Sequence, residues 1–279
     1  MKKVISFART LIKSYIDTGI SGMSLQLSYY MLFSFFPLVL FVSTVISRFF
    51  PKYLTDFPTI PDFVPRGVYD FAATFFAEAT SYSQKGLSFT SLILFCYLLT
   101  RYIRCFKGAI GKIYGITARR GFISEWLYSL FLSVALFILF FVSVLAFFVT
   151  DGIIEAFFKG VQARIIMLVL RFFILGLYAF FVLLLIHKVE LKEYFAFKKA
   201  VPGCGISIIG WVIISTVFSY YSGKIANYSI LYGSVGNVIM LLVWLNLTNT
   251  SLLLSAYINV LIQNSLDLYR KMMYNVVDK

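Results

Sequence analysis

Six long apolar segments do most to constrain the fold of this chain. A helix needs about 20 mainly apolar residues to cross a bilayer, and the backbone inside lipid must satisfy its own hydrogen bonds, which favours helices. The sequence therefore predicts an all-α integral membrane protein, in which six transmembrane helices form one membrane domain over residues 1–279. The predicted spans cover approximately residues 25–47, 87–106, 126–150, 164–187, 203–221 and 235–263.

The composition excludes an ordinary soluble domain. Hydrophobic residues make up 60% of the chain and charged residues 13%, whereas soluble domains contain about 25% charged residues. The second span is the weakest of the six, because Arg101 and Arg104 lie near its end. We expect both side chains to reach towards the nearer membrane surface.

The segment before the first span is predicted to be an interfacial amphipathic helix within residues 1–24. Its apolar residues recur at helical spacing, whereas the basic residues occupy the opposite face. Arg9 and Lys13 interrupt the apolar core that a cleaved signal peptide would need. At the other end of the chain, residues 264–279 are predicted to form a cytoplasmic tail.

The distribution of basic residues predicts the orientation. Of the 25 Lys and Arg residues, 17 lie in the loops and tails on the side that holds both termini, and 7 lie on the other side. Cytoplasmic loops are enriched in Lys and Arg, so both termini are expected in the cytoplasm. The net charge of +13 then reflects topology and contact with anionic membrane lipids, and we expect no nucleic-acid partner.

A second amphipathic helix is predicted in the external segment, residues 51–84. The stretch "VYDFAATFFAEA" places apolar side chains on one stripe, opposite Asp70 and Glu78. This pattern is typical of a helix that lies on a surface or covers the mouth of a cavity.

The sixth span carries an unusual number of polar side chains. At about 100° per residue they divide between two faces of the helix. Two interpretations remain open: the groups join helices through hydrogen bonds worth about 0.6–2 kcal/mol each, or one face lines a polar cavity. The first face holds Asn237, Trp244, Thr248, Ser251, Ser255 and Asn259, and the second holds Asn246, Asn249 and Thr250.

Arg171 favours the cavity interpretation. It lies inside the fourth predicted span, where a charge is costly unless it faces protein or water. None of the 12 acidic residues lies within the six predicted spans, so amides, hydroxyls or an anionic ligand would have to pair with it. Gln26 and Pro37 share one face of the first span, and we expect a cleft between the first, fourth and sixth spans.

The fifth span has small residues that permit a close helix approach. They are Gly203, Ser207 and Gly210. The three cysteines lie within or at the ends of apolar segments without metal-ligand spacing, so they are interpreted as small core residues.

Several blocks of the sequence resemble the YihY / virulence factor BrkB family, whose members were formerly named ribonuclease BN. The blocks are "LQLSYYMLFSFFPLVLF", "RYIRCFKGAIGKIYGI", "VPGCGISIIGW" and "LYGSVGNVIMLLVWLNLTNTSLLLSAYINVLI". The resemblance implies a six-helix protein of the bacterial cytoplasmic (inner) membrane. The former name also suggests a ribonuclease, a hypothesis that requires catalytic residues in this chain.

The residues do not form a recognisable catalytic set. Hydrolysis of a phosphodiester needs a paired acid and base or a metal cluster. The single histidine, His187, ends a span beside Lys188, and the nearby Glu190 and Glu193 are explained by a solvated helix end. We therefore expect no enzymatic activity, no metal and no cofactor.

The leading hypothesis is a non-enzymatic transporter or flippase-like protein for an amphiphilic or anionic solute. The alternative is a membrane scaffold or envelope-biogenesis factor that binds lipids and partner proteins without moving a solute. Oligomeric state is open. The proposed solute contacts are Arg171, Asn237, Asn246, Asn249, Thr248, Ser251 and Gln26.

Overall fold

The computed structural model is helical throughout the part of the chain that it describes. Within those residues there is no β-strand. Four of the described helices are long and apolar enough to cross a membrane, so this part of the chain is all-α and suited to a membrane bundle. The described residues are 16–49, 66–81, 85–115, 121, 123–138, 176–178, 180–181, 184, 197–224 and 235–277.

The described residues form six main helices. In chain order they are α1 (Ile20–Phe49), α2 (Arg66–Ser81), α3 (Lys85–Tyr114), α4 (Ile123–Ile138), α5 (Phe197–Lys224) and α6 (Val235–Val277). Those able to cross the membrane are α1, α3, α5 and α6, with apolar stretches at Ile20–Val45, Phe89–Tyr114, Val201–Tyr221 and Val235–Gln263.

The first, second, fifth and sixth predicted spans are thus confirmed as long apolar helices. Of the third, only α4 is described, and it is an apolar helix too short to count as a span by itself. Of the fourth, a few residues near 176–178 are described as helical. The count of six therefore stays a prediction, as does the interfacial helix, since residues 1–15 lie outside the described residues.

Glycine marks the start of α1. Gly19 has a φ of 70°, a conformation that side chains with a Cβ rarely adopt, and its carbonyl accepts a hydrogen bond from Met23 N at 3.1 Å. The first helical turn after it begins at Ile20, so residues 20–24 belong to α1, although the sequence predicted them to be part of the interfacial segment.

α3 continues to Tyr114, beyond its predicted end at residue 106. The reason is a buried apolar face, because Ile103, Phe106 and Ile110 are almost fully buried together with Ile20 of α1. Arg101 and Lys112 are exposed on the opposite side of this helix. The helix ends at Gly115, whose φ is 67°.

α6 is the central helix of the described bundle, because it packs against α1, α2, α3 and α5. α1 also packs along α3. The predicted helix of the external segment is confirmed as α2, whose aromatic face meets α1: the Phe36 ring lies 5.3 Å from Phe75 and 6.0 Å from Phe71. α2 therefore lies against the bundle through its apolar stripe.

Candidate functional site

Asn249 joins three helices at the centre of the bundle. Its side chain is completely buried. Its Nδ2 donates to Ser28 Oγ of α1 at 3.1 Å and to the Leu245 carbonyl of its own helix at 3.0 Å. Its Oδ1 accepts from the Tyr102 hydroxyl of α3 at 3.0 Å. Both ends of the amide are therefore used to hold α1, α3 and α6 together.

Asn246 makes a second contact with α1. Its Nδ2 donates to Ser24 Oγ at 3.4 Å. Ser24 and Ser28 are both buried and lie one turn apart, and each hydroxyl also donates to a backbone carbonyl of its own helix. Two amides of α6 thus meet two hydroxyls of α1.

The other polar face of α6 interlocks with α5. Ser255 and Ser207 share a short hydrogen bond, and Trp244 Nε1 donates to Ser215 Oγ at 3.2 Å. A Cβ added to Gly210 would overlap with Ser251 Oγ. The backbones approach closely because these positions are small, which confirms the prediction made for Ser207 and Gly210 and for Gly203.

Two buried polar atoms of α6 have no hydrogen-bond partner among the described residues. They are Thr248 Oγ1 and Asn259 Oδ1. Asn259 Nδ2 donates to the Tyr114 hydroxyl at 2.9 Å, so only its carbonyl oxygen is unpaired. At 100° per residue Thr248 and Asn259 lie about 20° apart on α6, between the direction of Ser255 and that of Asn249.

The remaining predicted site residues that the structure describes do not join the hydrogen bonds that Asn246 and Asn249 make with other helices. Asn237 lies in the first turn of α6 and is partly buried. Gln26 is exposed and, at about 200° from Ser24, points away from the face of α1 that meets α6. The structure therefore does not bring Gln26 together with the amides. Arg171 and His187 lie outside the described residues.

A buried ion pair between α3 and α4 was missed by the sequence reasoning. Lys107 is nearly fully buried, forms a short ion pair with Glu125, and lies 4.8 Å from the centre of the Tyr128 ring. The predicted spans end at residue 106 and resume at residue 126, so they place Lys107 and Glu125 in the loop between them. The available signal was helical spacing, because Ile103, Lys107 and Ile110 lie on one face.

The described residues contain no cluster of three His, Cys, Asp or Glu side chains that is suited to a metal ion. The polar groups brought together are amides, hydroxyls and phenols. Such groups orient a ligand or join helices, but they are neutral at ordinary pH and do not by themselves make an acid–base pair.

Comparison with known proteins agrees with this architecture. The family model "Virulence factor BrkB" matches residues 11–274. The ribonuclease-like protein YfkH of Bacillus subtilis (strain 168) is 25% identical over 263 residues, which cover 92% of this chain and 95% of that protein. No solved structure matches. The family and the apolar helices indicate a multi-pass protein of the bacterial inner membrane. The chain belongs to the virulence factor BrkB family.

Proposed function

We propose that this protein is not an enzyme and moves an amphiphilic or anionic solute, as a transporter or flippase does. The proposal rests on the two unpaired polar atoms of α6, Thr248 Oγ1 and Asn259 Oδ1. Buried polar groups in proteins nearly always have a partner, so an unpaired pair on one helix face indicates a place where water or a ligand binds.

The polar face extends along most of the membrane thickness. Asn237, Thr248 and Asn259 follow one another at intervals of 11 residues and share one side of α6. At 1.5 Å per residue the three positions span about 33 Å, which compares with about 30 Å for the hydrocarbon core. Because this side of α6 also packs against Ser207 and Gly210 of α5, a solute reaches the three polar positions when α5 and α6 separate.

The hydrogen bonds of α6 separate the predicted site residues into those that hold helices together and those that would contact a solute. Asn246 and Asn249 already use their amides to hold α1 and α3, so they support the site and do not face the solute. Thr248 and Asn237 are the proposed orienting groups. Arg171 is the proposed charge contact from the fourth predicted span.

Replacing Thr248 with valine tests the proposal. The change keeps the shape and removes the unpaired hydroxyl, so thermal stability should stay equal or rise slightly. The full chain is reconstituted into vesicles, and the movement of fluorescently labelled phosphatidylglycerol between leaflets is followed by chemical quenching. We expect movement to slow about fivefold, the equivalent of one neutral hydrogen bond.

Thr216→Val is the matched control, because Thr216 is exposed on α5 and its hydroxyl bonds only to its own helix. It should leave the rate unchanged. The proposal fails if Thr248→Val is stable and moves the probe at the wild-type rate, or if the wild-type chain does not move the probe.

A scaffold is the second candidate function, and the close α5–α6 contact favours it. Gly203 and Gly210 allow α5 and α6 to approach so closely that an added Cβ would overlap with α6 side chains. A bundle held this tightly suits a static lipid-binding or partner-binding role. Retention of lipid by the purified chain, without movement of the probe, would support this candidate.

A further inference from the structure

An arginine faces outwards from the membrane-spanning part of α3. Arg101 is exposed, and its guanidinium lies 5.8 Å from the centre of the Tyr30 ring of α1. It forms no ion pair with any described residue. The guanidinium thus lies over the ring within cation–π distance, and its N–H groups remain able to donate.

The exposed face of α3 changes character at this residue. Before Arg101 it is apolar, with Phe89 68%, Ile93 54% and Leu94 50% exposed. After Arg101 the exposed side holds Gly108 and the basic Lys112. The apolar part of this face suits contact with the acyl chains of a lipid, and the basic part suits contact with its headgroup.

The depth of Arg101 limits which anion it meets. It lies 16 residues from Lys85 at the start of α3, or about 24 Å at 1.5 Å per residue. With the charged Lys85 placed at one edge of a hydrocarbon core about 30 Å thick, the Arg101 backbone lies about 6 Å inside the edge at the Tyr114 end. An extended arginine side chain covers that distance. Its guanidinium therefore reaches the edge of the hydrocarbon core, next to the layer of lipid phosphates.

The local charge is positive. α3 contains no acidic residue and carries Arg101, Arg104, Lys107 and Lys112 in its second half. Glu125 neutralises Lys107, and the acid described near the start of α1 is Asp17, which is exposed. The excess of cations favours a lipid with a net negative charge over a zwitterionic one.

We infer that the surface where α1 meets α3, at Arg101 and Tyr30, binds the phosphate of an anionic phospholipid from the leaflet at the Tyr114 end of α3. The guanidinium donates to the phosphate while Tyr30 holds it in position, and the acyl chains lie along the exposed apolar residues of α3. This site does not depend on the proposed transport function, since it lies on the outer surface of the bundle and binding is measured without movement.

The test compares two lipids with the same acyl chains, phosphatidylglycerol and phosphatidylcholine, on the purified full chain in mixed micelles. Native mass spectrometry gives the bound amount of each. The wild-type chain should prefer phosphatidylglycerol, and Arg101→Gln should reduce that preference about fivefold. Arg101→Lys should keep most of it, because the charge remains.

Arg48→Gln is the charge-matched control, since Arg48 is an exposed cation in the last turn of α1. It should retain the wild-type preference. The inference is overturned if the wild-type chain shows no preference, if Arg101→Gln keeps it, or if Arg48→Gln loses it equally.

A measurement on the wild-type chain makes the test independent of how the variants fold. Phosphatidylglycerol should raise the melting temperature more than phosphatidylcholine, and the difference should shrink as salt is added. Equal stabilisation by the two lipids would also overturn the inference.

Discussion

Replacing Asn249 with leucine should weaken the bundle, because this amide links α6 to both α1 and α3. Two of its hydrogen bonds cross between helices, to Ser28 at 3.1 Å and from Tyr102 at 3.0 Å. Hydrogen bonds between membrane helices contribute about 0.6–2 kcal/mol each. Leucine has a similar volume and leaves little cavity, so we expect the free energy of unfolding to fall by about 1–4 kcal/mol.

The pairwise part of this effect can be isolated with a double-mutant cycle. Tyr102→Phe removes the hydroxyl that donates to Asn249 Oδ1 and keeps the ring. The coupling energy between Asn249→Leu and Tyr102→Phe should be about 0.6–1.7 kcal/mol. Thr248→Val provides the comparison at the next position, and it should change stability by less than about 0.5 kcal/mol because that hydroxyl has no described partner.

The assay is unfolding by a denaturing detergent in mixed micelles, followed by tryptophan fluorescence. Trp244 lies at the α5–α6 contact and reports on its loss. The reasoning would be refuted if Asn249→Leu were as stable as the wild type, or if the two substitutions were strictly additive. In either case the amide would not hold the helices together.

Three further predictions concern packing, topology and chemistry. Gly203→Ala should lower the melting temperature, because its Cβ would lie 2.8 Å from Asn259 Cβ, whereas Gly205→Ala, with nothing within 4 Å, should be neutral or stabilising. A reporter active only in the periplasm, fused after Lys279, should be inactive, and activity there would contradict a cytoplasmic C-terminus. Purified protein should not cleave RNA, and nuclease activity that His187→Ala abolishes would show that a catalytic site exists.

Sequence patterns predicted the main helices well, since long apolar runs depend on little besides hydropathy. They were poorer at helix ends. The second span was predicted to end at residue 106, whereas α3 continues to Tyr114. Ile103 and Ile110 pack against α1, and this contact stabilises the longer helix. Hydropathy along one segment does not show which other helix will pack against it.

The sequence predicted which polar residues share a face of α6, but it did not predict their partners on other helices. Helical geometry correctly separates Asn249 from the face that contains Ser255, because both belong to one helix. It does not predict Tyr102 as the partner of Asn249, since that residue lies 147 positions away in sequence on another helix. A single helix pattern specifies which direction a side chain takes, but the fold decides what it meets.

The central position of α6 also affects the order of events during synthesis. Ser28 precedes its partner Asn249 by 221 residues, so at about 5–20 residues per second α1 is made about 11–44 s before that contact can form. Ser28 lacks its contact with Asn249 throughout this interval, and the Tyr102 hydroxyl, 147 residues before Asn249, lacks it for about 7–29 s. A chain interrupted before α6 therefore presents membrane-buried polar groups to proteases and insertion chaperones, whereas the completed chain conceals them.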